Sequence, residues 1–247
     1  MQILMSIKKI FHSYAYAVGI RQISSQDDIL NFSQKPFTML MPTDKEWYAD
    51  SFCFADQGKN YLFMEIMGRN SGLGTLGVAE YDPFANTFSD VVEILKENFH
   101  LSYPNVFKFN DDYYMIPETN GARQIRLYKA EAFPYKWKLE KVLLDDGRRY
   151  MDTSYFEVAD NRFILFSHDM TERVSSESDE GSVLKCFSLD LDSMELQSID
   201  WVHDAANDRP GGNVLTINGK NYRVLQDCSK IYGEKLKLYE ITKINVE

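Results

Sequence analysis

The run His100-Leu101-Ser102-Tyr103-Pro104-Asn105-Val106-Phe107, continuing to Tyr113-Tyr114-Met115-Ile116-Pro117-Glu118-Thr119, decides the fold. It reads as two short strands, rich in aromatic and β-branched residues, around a turn at Asn110-Asp111-Asp112. The same unit occurs three more times. Ala49-Asp50-Ser51-Phe52-Cys53-Phe54 leads, past Gly58, to Tyr61-Leu62-Phe63-Met64-Glu65. Met151-Asp152-Thr153-Ser154-Tyr155-Phe156 leads, past Asp160-Asn161, to Phe163-Ile164-Leu165-Phe166-Ser167. Arg209-Pro210-Gly211-Gly212-Asn213-Val214-Leu215 leads, past Asn218-Gly219, to Tyr222-Arg223-Val224-Leu225-Gln226-Asp227. A period of roughly 50 residues belongs to arrays and propellers.

The register of the repeat carries the functional reading. Asp50, Tyr103, Asp152 and Arg209 open the first strands; Glu65, Glu118, Ser167 and the pair Gln226-Asp227 close the second ones. A propeller gathers the starts of its innermost strands around one channel. The first ring would hold two carboxylates, a phenol and a guanidinium. Gathering these on one axis is costly unless a polar ligand is bound there.

Outside these units the sequence predicts strands at Tyr14–Arg21, Phe37–Met41, Thr75–Tyr81, Thr87–Leu95, Gln124–Ala130, Trp137–Leu144, Val183–Leu189, Glu195–Val202 and Lys235–Ile241. Short helical turns fit residues 5–12 and 24–31, and the polar run Asp169–Gly181 reads as a loop. The expected fold is all-β: one domain over 1–247, a five-bladed β-propeller closed by its N-terminal strands, with four blades as the alternative. Residues 1–12 would be a frayed or helical end.

Composition narrows the function classes. The 247 residues are 44% hydrophobic and 14% aromatic, enough for a full core. A net charge of −10 argues against nucleic acid or an anionic membrane as partner. Cys53, Cys186 and Cys228 lack metal spacing and read as free thiols of a reducing compartment. The N-terminus makes a poor signal peptide, and no apolar stretch approaches about 20 residues. A cytoplasmic protein without a membrane span is expected. The sequence holds no Walker loop, dinucleotide fingerprint or His cluster, so neither cofactor nor metal is expected. Gly68–Gly77 reads as a hairpin connection rather than a phosphate cradle.

Several runs together resemble one family: Ala17-Val18-Gly19-Ile20-Arg21, Ala49-Asp50-Ser51-Phe52, His100-Leu101-Ser102-Tyr103-Pro104, Ile116-Pro117-Glu118-Thr119, Arg209-Pro210-Gly211-Gly212 and Gln226-Asp227-Cys228-Ser229. It is the N-terminal domain of glucosamine inositolphosphorylceramide transferases, found also in bacterial sugar-modifying proteins. The resemblance covers nearly the whole chain in order and leaves no room for a second catalytic domain. That domain is similar to the five-bladed propellers of family-43 and family-32 glycoside hydrolases. Those use a carboxylate base on blade one, an orienting carboxylate on a middle blade and an acid on a later blade. Asp50 matches the first and Asp152 the second. Arg209 stands at the third, where the hydrolases are acidic, and Glu118 is the alternative acid.

The resemblance implies Asp50, Asp152 and Glu118 as catalytic groups. Glu65, Tyr103, Arg123, Arg209, Gln226 and Asp227 are the candidate substrate-binding groups. Each has a plainer role: acids cap turns, arginines neutralise them, and Tyr103, Trp47 and Tyr232 could stack on sugars, though aromatics at such positions more often fill core. His100 and His168 are more often structural. Three functions remain open: an enzyme of surface-glycan or glycolipid assembly, including an inverting hydrolase; a module that binds a sugar, sugar phosphate or glycan for a partner glycan-modifying enzyme; and a protein scaffold. Arg209, always charged and able to hold an anion, predicts preference for an anionic sugar.

Overall fold

The computed structural model describes residues 16–30, 36–172, 183–199, 209–227 and 235–243. The helical turn read at 5–12, most of the 169–181 loop, Cys228 and Tyr232 lie outside them.

Two short strands come first, β1 (Val18–Ile20) and β2 (Thr38–Leu40), paired antiparallel, with the four-residue helix α1 (Asp27–Leu30) between them. Four larger sheets follow, each an antiparallel meander. Blade one is β3 (Glu46–Asp56), β4 (Lys59–Gly68) and β5 (Gly74–Asp82). Its outer edge is split into β6 (Thr87–Phe88) and β7 (Val92–Leu95). Blade two runs β8 (Ser102–Phe109), β9 (Asp112–Glu118), β10 (Ile125–Ala132), β11 (Lys136–Leu144). Blade three runs β12 (Tyr150–Ala159), β13 (Arg162–Asp169), β14 (Val183–Asp190), β15 (Glu195–Ile199). In blade four the innermost strand is interrupted: β16 (Arg209–Pro210) and β17 (Leu215–Ile217) pair with one side of β18 (Lys220–Asp227), and β19 (Lys235–Ile241) pairs with the other.

The middle strands are near-continuous apolar runs because both faces are covered. Leu62 to Ile66 and Phe163 to Phe166 are buried throughout. Their side chains interleave between blades. Phe107, Ile116 and Leu127 of blade two pack with Phe163, Leu165 and Phe187 of blade three. Phe63, Leu76 and Val78 of blade one meet Val106, Met115 and Trp137 of blade two.

Among the described residues four blades form, the smaller of the two expected counts. The N-terminal strands do bridge the first and last blades, but they pair with each other and use turns and side chains for the closure. The Tyr48 amide donates to the Tyr16 carbonyl (3.4 Å), and Gln22 Nε2 donates to the Pro83 carbonyl (2.8 Å), both in blade one. On the other side the Asn218 amide donates to Gln26 Oε1 and Asn218 Nδ2 to Asp27 Oδ1, each at 2.7 Å.

One local device recurs at the top of the innermost strand in blades one to three. The ladder of β3 with β4 skips between Ala49 and Phe52, that of β8 with β9 between Ser102 and Asn105, and that of β12 with β13 between Met151 and Ser154. Each gap holds two residues opposite one, a bulge. The first residue of each gap lies in the left-handed region: Asp50 at φ 46°, Tyr103 at 50°, Asp152 at 51°. A bulky tyrosine there is strained by about 1–2 kcal/mol. The same backbone turn at three equivalent places makes three successive blades aim their strand starts alike. Blade four makes the turn with Gly211-Gly212, where Gly212 has φ 153°.

Candidate functional site

An axial cavity of about 470 Å³ opens at these bulges. Asp50, Glu65, Glu118, Arg209 and Gln226 line it, as do His100 and Ser102. Tyr16 and Ala17, just before β1, and Val18 and Gly19 of β1 also line it, beside Trp47. Tyr16 and Trp47 lie with ring centroids 5.1 Å apart. Five of the nine residues predicted for the site therefore converge. The ladders explain four of them: Ala49, just before Asp50, faces Glu65; Ser102 faces Glu118; Arg209 faces Gln226.

The other four are placed differently. Asp152 is fully buried behind the cavity and ion-paired to Arg209 Nε. Its second oxygen, Oδ1, is buried without a hydrogen-bond partner. Tyr103 turns to the side; its hydroxyl meets Ser154 Oγ at 2.9 Å, and it lines a second cavity of about 580 Å³ between blades one and four. Arg123 ends the short turn Asn120–Ala122 at φ 55°, is exposed, and donates to the Gly147 carbonyl at 2.8 Å. Asp227 follows Gln226 on a strand, where neighbours face opposite ways; it sits on Lys237 (3.1 Å) and Lys235 (3.3 Å). Blade three also closes one residue later than read: Met151 pairs with His168, while Ser167 Oγ bonds Thr153 Oγ1 at 2.9 Å.

The carboxyl groups differ in charge state according to their partners. Asp50 accepts from the Ser102 hydroxyl and the Tyr103 amide. Burial, then the charge of Asp152, nevertheless pushes it up to about 6, against Arg209 and these hydrogen bonds. Burial, followed by the charges of Asp50 and Asp152, pushes Glu65 to about 8. Burial and Asp152 hold Glu118 well above the usual carboxylate range. Both Glu118 oxygens accept hydrogen bonds, Oε1 from Asn120 Nδ2 and Oε2 from the Asp152 amide (3.3 Å).

Three groups escape a reading of the sequence by register. His100 takes the Gly74 amide on Nδ1 (3.0 Å) and presents Nε2 to Glu65 Oε1 (3.3 Å). Ser102 holds Asp50 from the next blade. Asn105 and Asn213 exchange hydrogen bonds of 2.6 and 2.7 Å across the axis. The polar residues of the His100–Asn105 run were the available signal; their partners lie on other blades.

The sequence of residues 38–247 matches the family described as glucosamine inositolphosphorylceramide transferase 1, N-terminal. The rice (Oryza sativa subsp. indica) glucosamine inositolphosphorylceramide transferase 1 is 34% identical over 216 residues, covering 85% of this chain and 29% of that protein. The chain thus spans less than a third of that relative. Among solved structures, an α-L-arabinofuranosidase from Clostridium thermocellum superposes with a TM-score of 0.56 at 11% identity, covering 82% of this chain and 71% of that one. A family-62 glycoside hydrolase in complex with xylotriose also gives 0.56, at 12% identity, over 83% and 70% of the two chains. These likenesses show the glycoside-hydrolase-type propeller fold. Among the described residues no helix is long and apolar enough to cross a membrane.

Proposed function

Because the chain belongs to the family of glucosamine inositolphosphorylceramide transferase 1 N-terminal domains, we propose that its axial cavity is a carbohydrate site serving glycolipid or surface-glycan assembly. The observation that carries this reading is the convergence of Asp50, Glu65, Glu118, Arg209 and Gln226 on one cavity. Such a set offers sugar hydroxyls both acceptors and donors, and the Tyr16–Trp47 pair supplies an apolar face at the rim.

The charge balance selects among sugars. Arg209 is the only lysine or arginine among the described lining residues, and its Nε is committed to Asp152. A phosphate would compete with the buried Asp152 carboxylate for Arg209 and sit beside Asp50. This favours a neutral or amino sugar over the anionic sugar that Arg209 alone suggests. A guanidinium already paired with Asp152 is a weaker partner for a phosphate than an unpaired one would be.

Calorimetry on the purified chain tests this. Glucosamine, xylotriose and arabinobiose are compared with glucosamine 1-phosphate. Heat of binding for at least one neutral or amino sugar, lost in Gln226→Ala, is the expected result. Tighter binding of the phosphate would restore the anionic preference. No binding of any would remove the carbohydrate reading.

A further inference from the structure

Resting on the carbohydrate-site reading, we propose that the second cavity, in the seam between blades one and four, holds the hydrocarbon chain of a glycolipid whose sugar lies in the axial cavity. The ligand class is then an amphiphilic glycoside, and the two cavities divide its polar and apolar parts.

The seam differs from its counterparts. Between blades one and two, and between two and three, aromatic and aliphatic side chains interleave into core. Between blades one and four lies a cavity of about 580 Å³ instead. Protein interiors are close-packed, and an apolar space of that size forfeits contacts that a chain of methylenes would restore. Its volume falls within the roughly 300–1,000 Å³ of ligand pockets.

The seam is continuous with the axial cavity. Asp50, Ser51 and Gln226 line both. On blade four the ladders set Arg209 opposite Gln226, and Gln226 opposite Leu236. Residues directly opposite one another in a sheet share a face. One row therefore runs from the guanidinium of the axial cavity to an apolar side chain of the seam. A Cβ on Gly211 would stand 3.0 Å from Gln226 Cγ and from Leu236 Cδ2, so both side chains lie against the bare backbone of that glycine. On blade one the same change of lining takes three residues, from Asp50 through Ser51 to Phe52.

The lining favours hydrocarbon over a second sugar. Phe52, Leu215 and Leu236 supply apolar surface, and the Tyr103 ring lies edge-on to Phe52 with 4.6 Å between centroids. Leu236 is 54% exposed there. The polar groups away from the shared border are already engaged. The Tyr103 hydroxyl meets Ser154 Oγ at 2.9 Å. Asn213 exchanges hydrogen bonds with Asn105 and accepts from the Tyr155 amide at 3.2 Å. Lys235 sits on Asp227 at 3.3 Å. A sugar placed here would leave its hydroxyls without partners, a penalty that a methylene chain does not meet.

The test is calorimetry with methyl, butyl, hexyl and octyl glycosides of glucosamine and xylose, each below its micelle concentration. Wild type is compared with Leu236→Gln and Cys53→Trp. Cys53 is exposed and lines the seam, so a tryptophan there occupies it. Wild-type affinity should rise about two- to fourfold per methylene from butyl to octyl. The octyl-to-methyl ratio should fall about fivefold or more in Leu236→Gln and vanish in Cys53→Trp. Either variant decides alone should the other not fold. A flat series with the methyl glycoside bound would overturn the seam assignment and leave the carbohydrate reading standing. So would a chain-length gain that survives in the variants, because the chain then binds elsewhere. No binding of any glycoside removes the carbohydrate reading, and the seam assignment with it.

Discussion

The two sides of the axial cavity handle the same residue type in opposite ways. On the side of blades three and four, Asp152 is buried to 1% exposure and meets Arg209 directly. On the side of blades one and two, Asp50 is held by a hydroxyl and an amide, with Arg209 acting on it through charge alone, and Glu65 lies 3.3 Å from an imidazole; among the described residues neither is ion-paired to a lysine or arginine. The first side stores an ion pair; the second stores a proton, on Glu65. Asp50 and Asp152 occupy equivalent bulges with nearly the same φ, so backbone register does not set their chemistry. What sits on the next blade does.

The contrast is broken most severely at Arg209. Arg209→Ala strands a buried carboxylate and should destabilise the fold by about 3–5 kcal/mol, read as a lower urea midpoint at neutral pH. Adding Asp152→Asn to it should recover a large part of that loss. A loss below about 1 kcal/mol would mean that the pair is not desolvated.

The proton-storing side is sharpened by pH. Glu65 holds its proton more tightly folded, at about 8, than at its ordinary 4.5. Its contribution is therefore complete below about 4.5 and is lost as pH rises through about 8. Glu65→Gln should flatten the fall in stability between pH 5 and pH 9 by roughly 2–4 kcal/mol. Parallel stability curves for the two proteins would show that Glu65 is ionised throughout.

The smallest effect probes the link between the sides. Tyr103→Phe removes the 2.9 Å contact to Ser154, whose hydroxyl still donates to the Gly212 carbonyl at 2.7 Å. A loss of about 1 kcal/mol is expected in chemical denaturation, without change in the pH dependence. A change in the slope with pH would mean that the phenol is coupled to the acids.

Much of this architecture is legible in the chain because strand pairs ending in polar residues repeat at a nearly constant spacing. The register brings Glu65, Glu118 and Gln226 to one cavity for that reason. It fails where local geometry overrides spacing. Asp227 follows Gln226 and so must face the other way, toward Lys235 and Lys237. Arg123 ends its turn in the left-handed region and is exposed, with its guanidinium on the Gly147 carbonyl. A second irregularity peculiar to blade three, between Glu157 and Ala159 in the pairing of β12 with β13, shifts its closing residue from Ser167 to His168. Glu65 was visible as an acid, but its neighbour His100, held to Gly74 by a hydrogen bond that spans 26 residues, was not.

The Asn105–Asn213 pair has a kinetic consequence. It joins positions 108 residues apart, with the whole of blade three between them. Most neighbouring strands of blades one to three are joined by short turns, and such hairpins can form early. The amide pair and the Arg209 contact wait until the C-terminal segment has been made and brought back across the axis. Folding should therefore deliver a nearly complete scaffold before it delivers a working cavity. A chain stalled at that stage would show most of its native strand signal and no sugar binding.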